Sequence, residues 1–470
     1  MKNKIKWEKN SKNTISVDNH NIEVEFLEDE LKFKLKGNIS LHLPTHSGLK
    51  LNKNNFNIIS KTSPYMPPAA PIIVFEYGKD DFVSFYVKDN NGNNNYGIYD
   101  IKFIDSKISF SMKFEDTSYD LFFESASKLL DAVSSFKEEV LQSVKNNNVK
   151  NDKYKLIDLK RIFIFDLWLP DGTIYHNYSD IITFLKVLKK NNLIDKTLIF
   201  LAGFPAPFDT MYPEYKAAYE LGGEKKLKEA VDFARNNNCM LMPHINYWGV
   251  SVDNVKMLRK FEKFRLRYKN GEICEGWTGY PTNQIVYINP ANKEFQEFIF
   301  SQIDALVNKY EFEAIHLDQL GYTDFNYENG FVQGVKNYFK NFSKIFDFKI
   351  VSVEAFAFQL LGLFNLAELL GRPWTMLCND KYESSSVSEI CKFLFKYYTK
   401  FYAHVSVPAM NSHAKYIFTN YKYVYETGVE KAFEDCWNFT KKMEGVPTLR
   451  VNLENIDLYK IKKVLNSMNL

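Results

Sequence analysis

Residues 313–322 read Glu313-Ala314-Ile315-His316-Leu317-Asp318-Gln319-Leu320-Gly321-Tyr322. A short strand-like run ends on a lone acid, and a glycine and an aromatic follow. An ionised group is costly inside a strand, because burial strips its water without supplying a counter-charge. The C-terminal rim of a strand in a parallel barrel is a better place for it, since active sites of that fold open there. Residues 349–356, Lys349-Ile350-Val351-Ser352-Val353-Glu354-Ala355-Phe356, repeat the design and again end the strand on an acid. Two carboxylates on the rims of successive strands are the minimum equipment for cleaving a glycosidic bond.

Outward from these two segments, strand patterns alternate with helical ones from about residue 155. Eight strands are expected: Ile162–Trp168, Thr197–Gly203, Cys239–Tyr247, Ala314–Asp318, Lys349–Glu354, Trp374–Asn379, Tyr402–Val407 and Pro447–Asn452. Helical patterns lie between several of them, including Glu224–Asn236 and Lys293–Tyr310. The second opens on Asn289-Pro290-Ala291-Asn292, a turn followed by a helix cap. This predicts a (β/α)8 TIM barrel over residues 155–470. Upstream, residues 1–120 show period-two alternation, as in Asn21–Phe26, Leu31–Leu35, Ile39–Leu43 and Phe82–Val87, broken by turn-forming clusters. That predicts an N-terminal β-sandwich. A helical pattern from Leu121 to Val144 and a polar run at Asn146–Asp152 read as a helical linker over 121–154.

Alternation places i and i+2 on one face of a strand. The barrel side of the first strand then carries Asp166 and Trp168, and that of the third carries His244, Asn246 and Trp248. The fourth carries His316 and Asp318, and the fifth Ser352 and Glu354. At the sixth, Asn379 or Asp380 reaches the rim. Each has a plainer alternative. Asp166 suits a turn, His244 a satisfied core histidine, and the tryptophans loop packing. His316 suits a support role beneath Asp318. For Asp318 and Glu354 the alternative is a structural ion pair with Arg161, Arg372 or Arg450.

Composition narrows the classes. At 470 residues the chain has room for two or three domains. Lys+Arg of 60 against Asp+Glu of 57 leaves no basic stretch, so nucleic acid is not an expected partner. No run of about 20 apolar residues predicts a membrane span. The start, Met1-Lys2-Asn3-Lys4-Ile5-Lys6-Trp7-Glu8, lacks the apolar region of a leader, which predicts a cytoplasmic location. The 5 scattered cysteines fit neither a disulfide framework nor a zinc site. No P-loop, G-x-S-x-G or H-E-x-x-H motif is found, and no cofactor or metal is expected. Oligomeric state is not legible.

The order of Ile288–Phe298 opening a helix, then Glu313–Gly321, resembles the catalytic barrels of α-amylase-like and endo-α-N-acetylgalactosaminidase-like glycoside hydrolases. It is especially similar to their relatives with a preceding β-domain. Tyr268-Lys269-Asn270-Gly271-Glu272, leading to Trp277 and Tyr280, resembles the extended third loop of such barrels. The resemblance implies a retaining glycosidase acting on an oligo- or polysaccharide at an α-linkage. Asp318 would be the nucleophile and Glu354 the acid/base. The remaining rim residues (Asp166, Trp168, His244, Asn246, Trp248, His316, Asn379, Asp380) would bind substrate, and so would His404 near the seventh strand. Two positions depart from the α-amylase pattern. His316 stands where that group has an arginine, and His404 alone represents its strand-seven His-Asp pair. Barrels similar to α-galactosidases take the acid/base from strand six, which would promote Asp380. Two other readings are a carbohydrate-binding barrel without catalysis and a sugar-phosphate lyase or isomerase. The latter would use Ser406, Asn411, Ser412 and Lys415 for phosphate.

Overall fold

The computed structural model describes residues 3–6, 11–17, 20–26, 30–36, 39–43, 49–51, 72–78, 80–89, 96–104, 107–114, 119–147, 156–169, 171–207, 210–278, 284–319, 327–328, 330–354, 360–369, 385–403, 444–451 and 453. Two antiparallel sheets form its N-terminal part. One runs Asn3–Lys6, Tyr119–Ala126, Asp81–Asp89, Ile72–Gly78, Ser40–Leu43, Leu49–Leu51 in spatial order. The other runs Ser11–Val17, His20–Phe26, Glu30–Lys36, Lys107–Phe114, Tyr96–Ile104. Alternation decides the faces. Ile22, Val24 and Phe26 are buried, and Phe33 meets Phe75 and Phe85 of the facing sheet at ring-centroid distances of 5.9 and 5.0 Å.

The helical expectation from Leu121 is corrected at its start. Residues Tyr119–Ala126 are a strand in register with Asp81–Asp89. Leu121 and Phe123 point inward while Phe122 stacks on Tyr86, so cross-strand packing overrides the helical spacing. A helix at Lys137–Asn147 follows. It joins the two parts physically, with Asn147 Nδ2 donating to Leu361 O at 3.1 Å and Lys137 over the Phe393 ring at 3.5 Å.

The C-terminal part is built on eight parallel strands: β1 (Arg161–Asp166), β2 (Thr197–Ala202), β3 (Cys239–Asn246), β4 (Ala314–Asp318), β5 (Ile350–Glu354), β6 (Leu366–Leu369), β7 (Lys400–Ala403) and β8 (Thr448–Val451). They pair in the order β7-β6-β5-β4-β3-β2-β1-β8. At the remaining seam Val446 N donates to Phe401 O at 2.7 Å. Helices Tyr178–Lys190, Gly223–Arg235, Lys293–Asn308 and Phe331–Ile345 lie in the connections. The third begins as expected, with Asn292 Oδ1 accepting from Phe295 N at 3.0 Å.

Every strand from β1 to β5 is buried on both faces, and the two faces belong to different cores. Phe163, Ile199, Ile315, Leu317, Val351 and Val353 face the helices. Ile162, Ile164, Leu198, Phe200, Met242, Ala314, Ile350 and Leu366 fill the barrel. Polar side chains enter this interior toward the strand C-termini, so an apolar floor carries a polar mouth.

The sixth strand is Leu366–Leu369, not Trp374–Asn379, whose residues lie outside those described. Only 11 residues (355–365) separate it from β5, too few for the strand–helix–strand spacing on which the expectation rested. Strand seven begins at Lys400, and residues 404–407 also lie outside the described ones. Beyond β3, Gly249–Ser251, Gln284–Tyr287 and Trp277–Thr278 form a small antiparallel sheet in the long third loop. Among the described residues no helix is long and apolar enough to cross a membrane.

Candidate active site

Register sets the site. Asn246 of β3 pairs with Asp318 of β4, and Glu354 of β5 pairs with Glu368 of β6. The β4–β5 register, Leu317 against Val353, carries Asp318 level with Glu354. Four consecutive strands therefore carry Asn, Asp, Glu and Glu in one layer at or next to their C-terminal ends. A second layer, two residues deeper, holds His244, His316 and Ser352.

Asp318 is held from the β3 side. His244 Nε2 lies 3.5 Å from Asp318 Oδ1, and Asn246 Nδ2 donates to Asp318 Oδ2 at 3.2 Å. His244 is fixed in turn, its Nδ1 being 3.1 Å from Tyr212 Oη and its ring stacked on His316 at 5.2 Å. Asn246 also donates to Gln319 Oε1 at 2.8 Å. Gln319 takes a left-handed backbone (φ 60°), a conformation that costs a non-glycine residue about 1–3 kcal/mol. Its N–H donates to Glu354 Oε2 at 2.9 Å. The strained residue thus ties the two carboxyl positions together through backbone and side chain.

The same Asn246 ends its strand. Its Oδ1 accepts from Trp248 N at 3.2 Å and Gly249 N at 2.7 Å, which curls the chain away from the barrel. Gly249 is required there, since a Cβ would stand 2.8 Å from Asn246 Oδ1 and 2.5 Å from Ile285 Cγ2.

The two acids differ in ionisation. Burial alone would raise Asp318, but the charge and hydrogen bond of His244, with help from Glu354 and His316, outweigh it and hold the carboxyl well below its ordinary range. Burial, then the charges of Asp318 and Glu368, push Glu354 well above its ordinary range. Among the described residues no lysine or arginine pairs with either acid. Arg161 is spent at the opposite end of the barrel, where Nη1 donates to Leu193 O and Thr197 Oγ1.

The stability consequence has a definite sign. A carboxyl raised on folding binds more protons folded than unfolded, so stability falls as pH climbs from the ordinary Glu range toward the folded value. Glu354→Gln is therefore expected to raise the melting temperature at neutral pH. The gain should shrink to nothing as pH falls below the ordinary Glu range. Thermal melts at several pH values check this.

The structure brings Asp318, Glu354, His244, Asn246 and His316 together. Asp166 ends β1 beside Ala202, at the same rim and three strands round the ring. Trp168 lies beyond β1, and its indole N–H donates to Gly172 O within its own loop at 2.9 Å. Trp248 is corrected outright. It is fully buried in the third loop, stacked on Tyr287 at 4.1 Å and packed near Phe331, because the turn at Asn246 ends the alternation that placed it on the barrel face. Trp248→Ala should cost about 3–5 kcal/mol in a denaturant melt, as expected for a core aromatic. Asn379, Asp380 and His404 lie outside the described residues, as do Ser406, Asn411, Ser412 and Lys415.

Four participants escaped the sequence reading: Tyr212, Gln319, Glu368 and Tyr402. Glu368 had a usable signal, because Leu366-Ala367-Glu368-Leu369 is another short apolar run around one acid. Tyr212 and Gln319 had none, since a loop residue 32 positions from its partner and a backbone torsion leave no pattern.

His244, His316 and Asp318 each bring one ligand atom within 4.8 Å of the others, a spacing that suits a cation. We assign no metal to them. Both Asp318 oxygens already face a partner, and His316 Nε2 faces Glu368 Oε2 at 3.5 Å rather than Asp318.

A domain family described as "Domain of unknown function (DUF6259)" matches residues 192–347, which include β2, β3 and β4. A search of curated proteins finds no significant match. Solved structures share the fold. The α-N-acetylgalactosaminidase NagBb from Bifidobacterium bifidum superposes with a TM-score of 0.65 at 10% identity, covering 100% of this chain and 84% of that one. TtGalA, an α-galactosidase from Thermus thermophilus, gives 0.63 at 7% identity, with 97% and 94% covered. An α-galactosidase from Lactobacillus brevis gives 0.53 at 9%, with 100% and 70% covered.

Proposed function

We propose that this chain is a retaining α-glycosidase, with Asp318 as nucleophile and Glu354 as acid/base. The observation that carries this reading is the placement of two carboxyls level on adjacent strands at the barrel mouth, Asp318 held by His244 and Asn246 and Glu354 by the Gln319 N–H, in surroundings that push their ionisation in opposite directions. The shared fold with an α-N-acetylgalactosaminidase and α-galactosidases supports an α-linked galactose-type sugar as the substrate class.

In the first step an Asp318 oxygen attacks the anomeric carbon from the face opposite the leaving group. The bond from that carbon to the glycosidic oxygen breaks as Glu354 gives its proton to the departing oxygen. A β-linked glycosyl ester on Asp318 results. Water then attacks the same carbon, Glu354 as carboxylate takes its proton, and Asp318 leaves with the electron pair of the ester bond. Both acids return to their starting states, and the product keeps the α configuration. His244 and Asn246 hold Asp318 in line and stabilise its charge between turnovers. Exposure favours Glu354 over Glu368 as the proton donor: Glu354 retains 9% of its surface and Glu368 none.

The test uses p-nitrophenyl α-galactoside and its α-N-acetylgalactosaminide analogue with the purified chain. Release of p-nitrophenol is expected, with the α anomer appearing first by proton NMR. First formation of the β anomer would overturn retention. Glycan-dependent melting shifts without any product would instead support a binding protein.

A further inference from the structure

We infer that Glu368, next to the end of β6, is a positioning residue for the reaction proposed above. Its buried carboxyl stands beside Glu354 on the neighbouring strand and braces His316 behind Asp318. The inference rests on the proposed glycosidase reading but is carried by its own geometry.

Glu368 has no solvent exposure, although a lone carboxyl is seldom fully buried without a partner. Its surroundings supply partners. Tyr402 Oη donates to Glu368 Oε2 at 3.1 Å, and His316 Nε2 lies 3.5 Å from the same oxygen. Tyr402 Oη is also 3.1 Å from His316 Nδ1 and 3.0 Å from Ser352 Oγ, and Ser352 Oγ is 3.0 Å from that nitrogen. Side chains from β4, β5, β6 and β7 therefore close one buried network that spans the layer of the two acids and the layer beneath it.

Register gives this network its handle on the chemistry. Glu368 is the Cα partner of Glu354, both inward-facing, so their carboxyls approach in a water-poor layer. The groups that bear on Glu354 are Asp318 with His316 behind it on β4, Glu368 on β6, Tyr402 on β7 and the backbone N–H of Gln319. His244 on β3 acts through Asp318. Two of these, the carboxyls of Asp318 and Glu368, both push Glu354 toward its protonated form. Asp318 loses its charge when the glycosyl ester forms, just when Glu354 must become a base. Glu368 takes no part in the bond changes, and its place beside Glu354 is the same in both steps. One of the two thus switches with the catalytic step, while the other gives a constant bias toward the protonated form.

The experiment compares wild type, Glu368→Gln and Glu368→Asp in the full chain by two readouts. The first is the pH profile of kcat/KM on the aryl α-galactoside. The second needs no turnover: the infrared band of the protonated carboxyl that disappears in Glu354→Gln, followed against pH. Removing the Glu368 carboxyl lets Glu354 lose its proton at lower pH. Glu368→Gln should therefore move both the alkaline limb and the infrared titration acidward by about one unit or more. Glu368→Asp should stay close to wild type. If Glu368→Gln loses its cooperative melt, Tyr402→Phe takes its place. Without the donated hydroxyl Glu368 loses its anchor beside Glu354, and the same acidward shift is expected. A folded variant with an unmoved infrared titration would overturn the inference. So would activity lowered equally at every pH. Absence of turnover in the wild type, with the infrared shift intact, would count against the glycosidase reading alone.

Discussion

Asp318→Asn is expected to lower kcat/KM for an aryl α-galactoside by about four orders of magnitude or more. An amide cannot form the glycosyl ester, and the covalent route closes while the rest of the site stands. The fold should survive, because Asn246 and His244 hold position 318 by hydrogen bonds that an amide retains in part. Circular dichroism melts check this. The variant should also lose acid sensitivity. Asp318 is held below its ordinary range, so its contribution to stability is present above that range and lost as pH falls through the folded value. A smaller side chain at the same place, Asp318→Gly, should turn over again when azide is added. Azide then attacks the α-glycoside directly and gives the β-glycosyl azide, with inversion. Near-normal turnover by Asp318→Asn would remove this residue from the chemistry.

Glu354→Gln should act differently on different substrates. Loss of a general acid costs about 10²–10⁴-fold, the more so the more the leaving oxygen needs a proton. An unactivated disaccharide should lose most of its rate, and a p-nitrophenyl glycoside much less in the first step. The second step then limits, because no base remains to activate water. Azide needs no base, so it should restore turnover and give the α-glycosyl azide, with retention. The alkaline limb of the pH profile should vanish with the group that produces it. Opposite azide anomers from the two variants would separate nucleophile from acid/base without reference to rate.

The sequence carried much of this arrangement. The apolar runs that end on Asp318 and Glu354 are strands buried on both faces, and burial with period-two alternation leaves few other readings. His244, Asn246 and His316 followed from the same alternation. The failures share a cause, which is that alternation holds only while a strand lasts. The turn that Asn246 makes with its own side chain took Trp248 into the loop core, and β1 ends before Trp168. Strand six was misplaced because the connection from β5 is short, and Glu368 was lost with it. Gln319 belongs to the site through a backbone torsion, which no residue pattern encodes.

The most direct measurement is covalent trapping. The chain is incubated with a ring-fluorinated α-galactosyl fluoride, which forms the glycosyl ester readily but hydrolyses it slowly. The protein is then digested at low pH and its peptides are sequenced by mass spectrometry. The account predicts one glycosyl adduct per chain, on Asp318 in the peptide that carries Ala314–Asp318. An adduct on Glu354 or Glu368, or sustained turnover with no adduct on any carboxylate, would contradict it.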